Sequence, residues 1–190
     1  MPHDVADLVT AARDGDTEAF DELVRVTYAE TYTLALRLTG NEEDARDVVQ
    51  EAYFRAFRGL RRFRGDAKFS TWMYRITANC ANTHLGKRAK HRHEELRSED
   101  PHVDERSTYD PQAQSDSTEL RSKLTMALET LPPKLRQVVV LRDIYDLPHE
   151  AIAAELGISE TAAKVRLHRA RKKLRDDLFA RRLEEAADAV

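Results

Sequence analysis

Between Glu160 and Arg175 the chain sets seven Lys or Arg side chains against one acid. Cations at that density pair with phosphate oxygens and displace the counterions condensed on a nucleic acid. At helical spacing Ala163, Leu167, Ala170 and Leu174 form an apolar stripe. Thr161, Val165, His168, Arg169 and Lys172 fall on the opposite face, with Lys164, Arg171 and Arg175 on its flanks. Flanking cations can reach phosphates, which positions a helix without reading sequence. Groups along the middle can meet base edges: an Arg can bond a guanine bidentately, and Val165 can touch a thymine methyl.

A long helix must carry that face, and the residues before it supply a short one. Pro148 suits a first helical position, where its missing N–H costs nothing. Ile152, Ala153 and Leu156 recur at helical spacing, and Gly157 stands where a left-handed residue ends a helix. Ser159 can cap the next helix by accepting a backbone N–H. Pro148–Leu156, Gly157 and Ser159–Arg175 therefore read as helix, tight turn, helix, the shape that lies in a DNA major groove. A solvated basic face on a structural helix is the weaker alternative, because turn, cap, core stripe and charge coincide.

A second cluster of cations is interleaved with aromatics. Arg61, Arg62, Arg64 and Lys68 lie in a loop with Phe63, Gly65 and Phe69 that runs into Trp72, Tyr74, Arg75 and Asn79. Cations that track a backbone, beside rings that stack on bases, suit single-stranded DNA. Phe69 and Trp72 could equally be core packing, since aromatics at helical spacing usually are.

The net charge of −3 conceals these blocks. Residues 1–60 are net −7, 61–92 net +8, 93–119 net −7 and 120–190 net +3. Two basic blocks separated by an acidic one are two candidate nucleic-acid surfaces. No apolar run approaches the ~18–20 residues of a membrane span, so no membrane insertion is expected. The first residues lack a signal-peptide pattern, and the single Cys80 fits a reducing, cytoplasmic setting.

Strand-like alternation is absent, and an all-α fold of two small helical domains is expected. Helices are predicted over Asp4–Arg13, from a cap at Asp16 to Thr39, over Glu42–Leu60, and from a cap at Ser70 to about Leu85. The third turns Ala45, Val48, Val49, Ala52, Ala56 and Leu60 inward. Residues 1–88 read as the first domain and 89–118 as a flexible acidic linker, although Arg88–Arg97 could be a polar surface helix. Residues 119–180 read as the second domain and 181–190 as a tail. Helices over Leu120–Leu131 and Lys134–Tyr145, divided by Pro132-Pro133, complete it.

Three stretches resemble the extracytoplasmic-function (ECF) branch of the sigma-70 family of RNA polymerase sigma factors. Asp44 to Phe54 (DARDVVQEAYF) looks like the polymerase-binding helix of region 2. Phe69 to Asn79 (FSTWMYRITAN) looks like the promoter-melting and −10-recognition helix. Leu131–Arg136, Glu150–Gly157 and Arg166–Arg171 resemble region 4. The resemblance implies a chain that binds core RNA polymerase, directs it to promoters and helps open the −10 element. It implies that Asp47, Gln50, Glu51 and Phe54 dock on the polymerase clamp. It implies that Arg61, Arg62, Arg64, Lys68, Phe69, Trp72, Arg75 and Asn79 hold single-stranded −10 DNA. Thr161, Lys164, Val165, His168, Arg169, Arg171 and Lys172 would meet the −35 duplex. The linker would thread toward the polymerase active-site channel, and an anti-sigma factor is an expected partner.

The chain departs from the family pattern at Thr83, Gly86, Ala162-Ala163 and Val165, which bears on the −35 sequence rather than on the family. A helix-turn-helix repressor or activator binding duplex DNA alone is the rival reading. It explains the last third but not the aromatic-basic helix. A metal site from Cys80, His84, His91 and His93 is chemically possible at that spacing, but no cofactor or metal is expected. Neither a phosphate loop nor a nucleophile–base motif supports an enzyme.

Overall fold

The computed structural model describes residues 4–65, 67–95 and 116–188, with side chains to residue 91 in the first part and from 123 to 179 in the second. The chain divides into two compact units, residues 1–101 and 102–190. All regular elements among the described residues are helical. Of the expected linker, residues 96–115 lie outside the described residues.

The first unit contains α1 (Val5–Asp14), α2 (Thr17–Thr39), α3 (Glu42–Gly59) and α4 (Phe69–Glu95). Side chains cap three of them. Asp4 accepts the Ala6 N–H, Asp16 accepts those of Glu18 and Ala19, and Asn41 accepts that of Asp44. Each satisfies amide donors that the first helical turn leaves unpaired. Helix α2 ends at Gly40, whose φ of 72° is open to glycine without strain. It packs on α3 and α4, with Leu23, Leu34, Leu38, Val48, Ala52 and Met73 at the centre. Within that core the Tyr53 hydroxyl donates to Thr31 Oγ1 (3.1 Å) and lies 2.9 Å from Thr27 Oγ1. Buried hydroxyls must be paired, so this contact registers α3 on α2.

Helix α4 does not start as the sequence suggests. Phe69 is its first residue, and the Trp72 N–H bonds the Lys68 carbonyl at 3.1 Å, so Ser70 lies inside the first turn rather than capping it. The helix also passes Leu85 and Gly86 and runs to Glu95. A single interior glycine costs only ~1 kcal/mol. The polar-helix alternative therefore holds over Arg88–Glu95. Asp44, near the start of α3, fastens this extension. It is buried and accepts from His84 Nε2 at 2.8 Å and from Arg88 Nη1.

The second unit contains α5 (Asp116–Glu129), α6 (Pro133–Val139), α7 (His149–Leu156) and α8 (Glu160–Asp188). Arg136 is buried, and its Nη2 donates to the Glu129 and Leu131 carbonyls at 3.0 and 3.2 Å, closing the end of α5. The helix expected over Lys134–Tyr145 becomes a π turn at Val140–Ile144. Val138, Val139, Val140 and Leu141 are consecutive and all buried, more than one α-helical stripe can hide. The wider turn lets the Tyr145 N–H reach Val140 O (3.2 Å) and returns Leu147 to the core. Pro148 precedes α7 as its N-cap instead of occupying the first helical position. Gly157 has φ 62°, and Ser159 Oγ accepts the Ala162 N–H at 3.1 Å. Helix α8 continues past Arg175 through Asp188, because no glycine or proline follows Gly157 to stop it.

Candidate nucleic-acid interface

Helix α8 presents the face its spacing predicts. Ala163, Leu167 and Ala170 are buried against α6 and α7. Thr161, Lys164, Val165, His168, Arg169, Arg171 and Lys172 are all exposed on the other side. Their charges differ in availability. Lys164 is paired with Glu160 at 2.6 Å, which holds the Glu160 carboxyl below its usual range. Arg171 is gripped bidentately by Asp143 of the π turn, Nε to Oδ2 at 2.9 Å and Nη2 to Oδ1 at 2.5 Å. That bond raises the Arg171 pKa. Arg169 and Lys172 make no ion pair with another described side chain.

In the first unit the loop after α3 carries Arg61, Arg62, Arg64 and Lys68, all exposed. Behind them Phe63, Phe69 and Trp72 form one aromatic cluster. Phe63 and Trp72 centroids are 5.0 Å apart, Phe69 and Trp72 5.7 Å, and Phe63 and Phe69 6.2 Å. Phe69 is buried and forms the floor, whereas Trp72 and Phe63 stay half-buried with ring surface accessible. Trp72 lies across the end of α3, where a Cβ on Gly59 would come within 3.4 Å of its ring. Arg75 is exposed, and the half-buried Asn79 accepts from Arg55 Nη1 at 3.0 Å. An open groove of about 600 Å³, lined by Val5, Val9 and Val26 among others, borders this loop at Phe63 and Lys68.

On α3, Asp47, Gln50, Glu51 and Phe54 project away from the buried stripe of Ala45, Val48, Val49, Ala52 and Ala56. Phe54 is 55% exposed and Arg58 lies 5.5 Å over its ring. Phe57, which the sequence reading passes over, continues the row at 52% exposure and packs edge-on against Phe20 at 5.0 Å. Its spacing of three from Phe54 was the available signal. Two large exposed rings thus sit one turn apart on a face that also carries Asp47 and Glu51.

Among the described residues no group of His, Cys, Asp and Glu side chains could hold a metal ion. Cys80 is buried, with its thiol pushed up to about 11 by desolvation, and His84 is turned to Asp44. The His93 side chain lies outside the described residues.

A two-unit helical protein with a helix-turn-helix in one unit and a basic aromatic face in the other is built as a DNA-directed factor, and its relatives define it further. The family model for sigma-70 region 2 matches residues 23–91, and that for sigma-70 region 4 matches residues 121–174. The chain is 37% identical over 171 residues to the ECF RNA polymerase sigma factor SigE of Mycolicibacterium smegmatis, covering 90% of this chain and 66% of that protein. It is 31% identical over 178 residues to the ECF sigma factor SigW of Bacillus subtilis, covering 90% and 94%. A solved structure of CnrH in complex with the cytosolic domain of CnrY superposes with a TM-score of 0.57 at 26% identity, over 93% of this chain and 99% of that one. The chain belongs to the sigma-70 family as an ECF sigma factor, a factor for promoter-specific transcription initiation. No helix among the described residues is long and apolar enough to cross a membrane.

Proposed function

We propose that the chain docks on core RNA polymerase through α3 and reads the two promoter elements with separate units, α4 and its preceding loop on single-stranded −10 DNA and α8 on the −35 duplex. The observation that carries this is the α3 face. Asp47, Gln50, Glu51, Phe54 and Phe57 form an acidic-aromatic surface, for which a helix-turn-helix regulator acting alone has no use. In the loop before α4, Arg61, Arg62, Arg64 and Lys68, with Arg75 on α4, track the phosphates, Trp72 stacks above its Phe69 floor, and Asn79 meets a base edge. On α8, Lys164 and Lys172 position the helix while Thr161, Val165, His168 and Arg169 read. Arg171 braces the helix from Asp143 at the edge of the same face.

The likeness to CnrH, solved with a protein bound, supports a regulatory protein partner, an anti-sigma factor, for this chain as well. The chain works in the cytoplasm, catalyses no reaction itself and needs no cofactor. Run-off transcription from a genomic library, with core enzyme alone and with core plus this chain, tests the reading. New, sequence-specific start sites are expected. Failure to bind core, or binding to duplex promoter DNA that core does not enhance, would favour the regulator reading instead.

A further inference from the structure

We propose that Glu160 is a base-reading residue of the −35 site: its carboxylate accepts from the exocyclic amine of a cytosine in the major groove. The inference rests on the proposal that α8 lies on the −35 duplex, and adds one selective contact to it. Glu160 is the first residue of α8 and the one acid from there to Arg175. The residues that open a recognition helix are the ones that meet base edges.

A bare carboxylate beside phosphates would weaken binding to every sequence. Here Lys164, one turn on, donates to Glu160 Oε1 at 2.6 Å. The pair is neutral as a whole, so it repels the duplex far less than a lone acid does. The same hydrogen bond keeps the carboxyl ionised. Glu160 Oε2 makes no hydrogen bond among the described residues, and the side chain is 50% exposed. Helix capping does not use it, because Ser159 Oγ already holds the Ala162 N–H. An acid in the first turn also suits the helix dipole, but any carboxylate supplies that charge.

Acceptors are what the rest of the helix lacks. Lys164, Arg169 and Lys172 only donate, Val165 does neither, and Thr161 and His168 can do both. Between Glu160 and Arg175, Glu160 alone accepts without donating. In the major groove cytosine presents a lone donor, its N4 amine, whereas thymine presents the O4 acceptor and guanine two acceptors. A cation cannot bond that amine. A carboxylate bonds it and is repelled by the acceptors. Adenine also offers an amine, but beside its N7 acceptor, so cytosine is the base Glu160 selects.

The test uses holoenzyme assembled from core and wild-type chain, Glu160→Ala, Glu160→Asp, Glu160→Gln or Lys172→Ala. Binding is measured to promoter duplexes with each −35 base pair replaced in turn. The readout is the ratio of affinities between two duplexes within one holoenzyme, so a change in core binding cancels. The wild type should prefer cytosine over thymine at one position by roughly tenfold, the worth of one hydrogen bond to a charged group. Glu160→Ala should flatten that ratio and no other, as should Glu160→Asp, whose carboxylate falls one methylene short. Glu160→Gln should move the preference at that position toward adenine, which an amide bonds through N6 and N7. Glu160→Asp keeps the first-turn charge, so its melting by circular dichroism should match the wild type. Glu160 variants that change all affinities alike, or that keep every ratio while Lys172→Ala weakens binding to all duplexes, overturn the inference, because Glu160 would then serve only to hold Lys164. If Lys172→Ala also leaves binding unchanged, the placement of α8 on the −35 duplex fails and the role of Glu160 fails with it.

Discussion

The ion pair between Arg171 and Asp143 predicts that one of the seven cations near the recognition face adds almost nothing to DNA affinity. The fork of Arg171 is spent on Asp143 at 2.9 and 2.5 Å. A neutralised pair releases few counterions from a duplex, whereas a lone cation on a phosphate contributes about 0.9 to the slope of log affinity against log salt. Arg171→Ala made together with Asp143→Asn, so that no bare carboxylate is left beside the DNA, should therefore leave the slope for −35 duplex binding by holoenzyme nearly unchanged. Lys172→Ala should flatten it by about 0.9, a loss of roughly 3.5-fold in salt sensitivity across a fourfold change in concentration. Asp143→Asn should do the reverse of Lys172→Ala, steepening the slope by up to about 0.9 as the guanidinium is freed. The side chains of Arg171 and Asp143 are 57% and 30% exposed. Solvent screening then limits the stability cost of either change to at most about 1 kcal/mol. Anisotropy titrations at four or more salt concentrations, with thermal melts beside them, measure both quantities. A slope for the Arg171→Ala, Asp143→Asn double variant that falls as far as that for Lys172→Ala would refute the reasoning, because Asp143 would then be releasing Arg171 to a phosphate on binding.

Other consequences can be checked separately. Asp47→Lys combined with Gln50→Ala should weaken core binding in a pull-down without loss of helicity, since both side chains are exposed opposite the Ala45, Val48, Ala52 and Ala56 stripe; lost helicity would mean the face is structural. Arg169→Ala should cost roughly 1–3 kcal/mol and relax preference at one or two −35 base pairs, whereas an equal loss on every sequence would make Arg169 a phosphate clamp. Burial raises the Cys80 thiol from 9.0 to about 11. The folded state therefore keeps its proton where the unfolded chain gives it up: this contribution is intact below pH 9 and lost as pH rises toward 11. Cys80→Ala should remove part of that alkaline fall in a pH series of melts. Tyr32 and Tyr53, also raised mainly by burial, sustain the remainder.

The caps at Asp16 and Ser159, the glycine ends at Gly40 and Gly157 and the apolar stripes of α3 and α8 were legible because they are local. Each depends on residues within a turn or two, where helical period and side-chain reach leave few choices. Helix ends without such signals were less so. Nothing near Leu85 or Arg175 forbids continuing, so α4 and α8 run on.

The sequence by itself determined that this is a two-part helical protein with two basic surfaces, and which side chains belong to the outward face of α8. Charge and periodicity are properties of the chain alone. Only the tertiary structure decided which of those groups are at liberty. Asp44 opens the stretch that resembles a polymerase-binding helix, yet it is buried between His84 and Arg88. Asp143 disarms Arg171 from 28 residues away, and Arg55 donates to Asn79 from one helix to the next. Phe69 is a floor, while Phe54 and Phe57 are open. Each of these depends on contacts between residues far apart in the chain, and no spacing along one helix specifies them. The packing of α3 on α4, and of α6 on α8, brings those partners within hydrogen-bond reach.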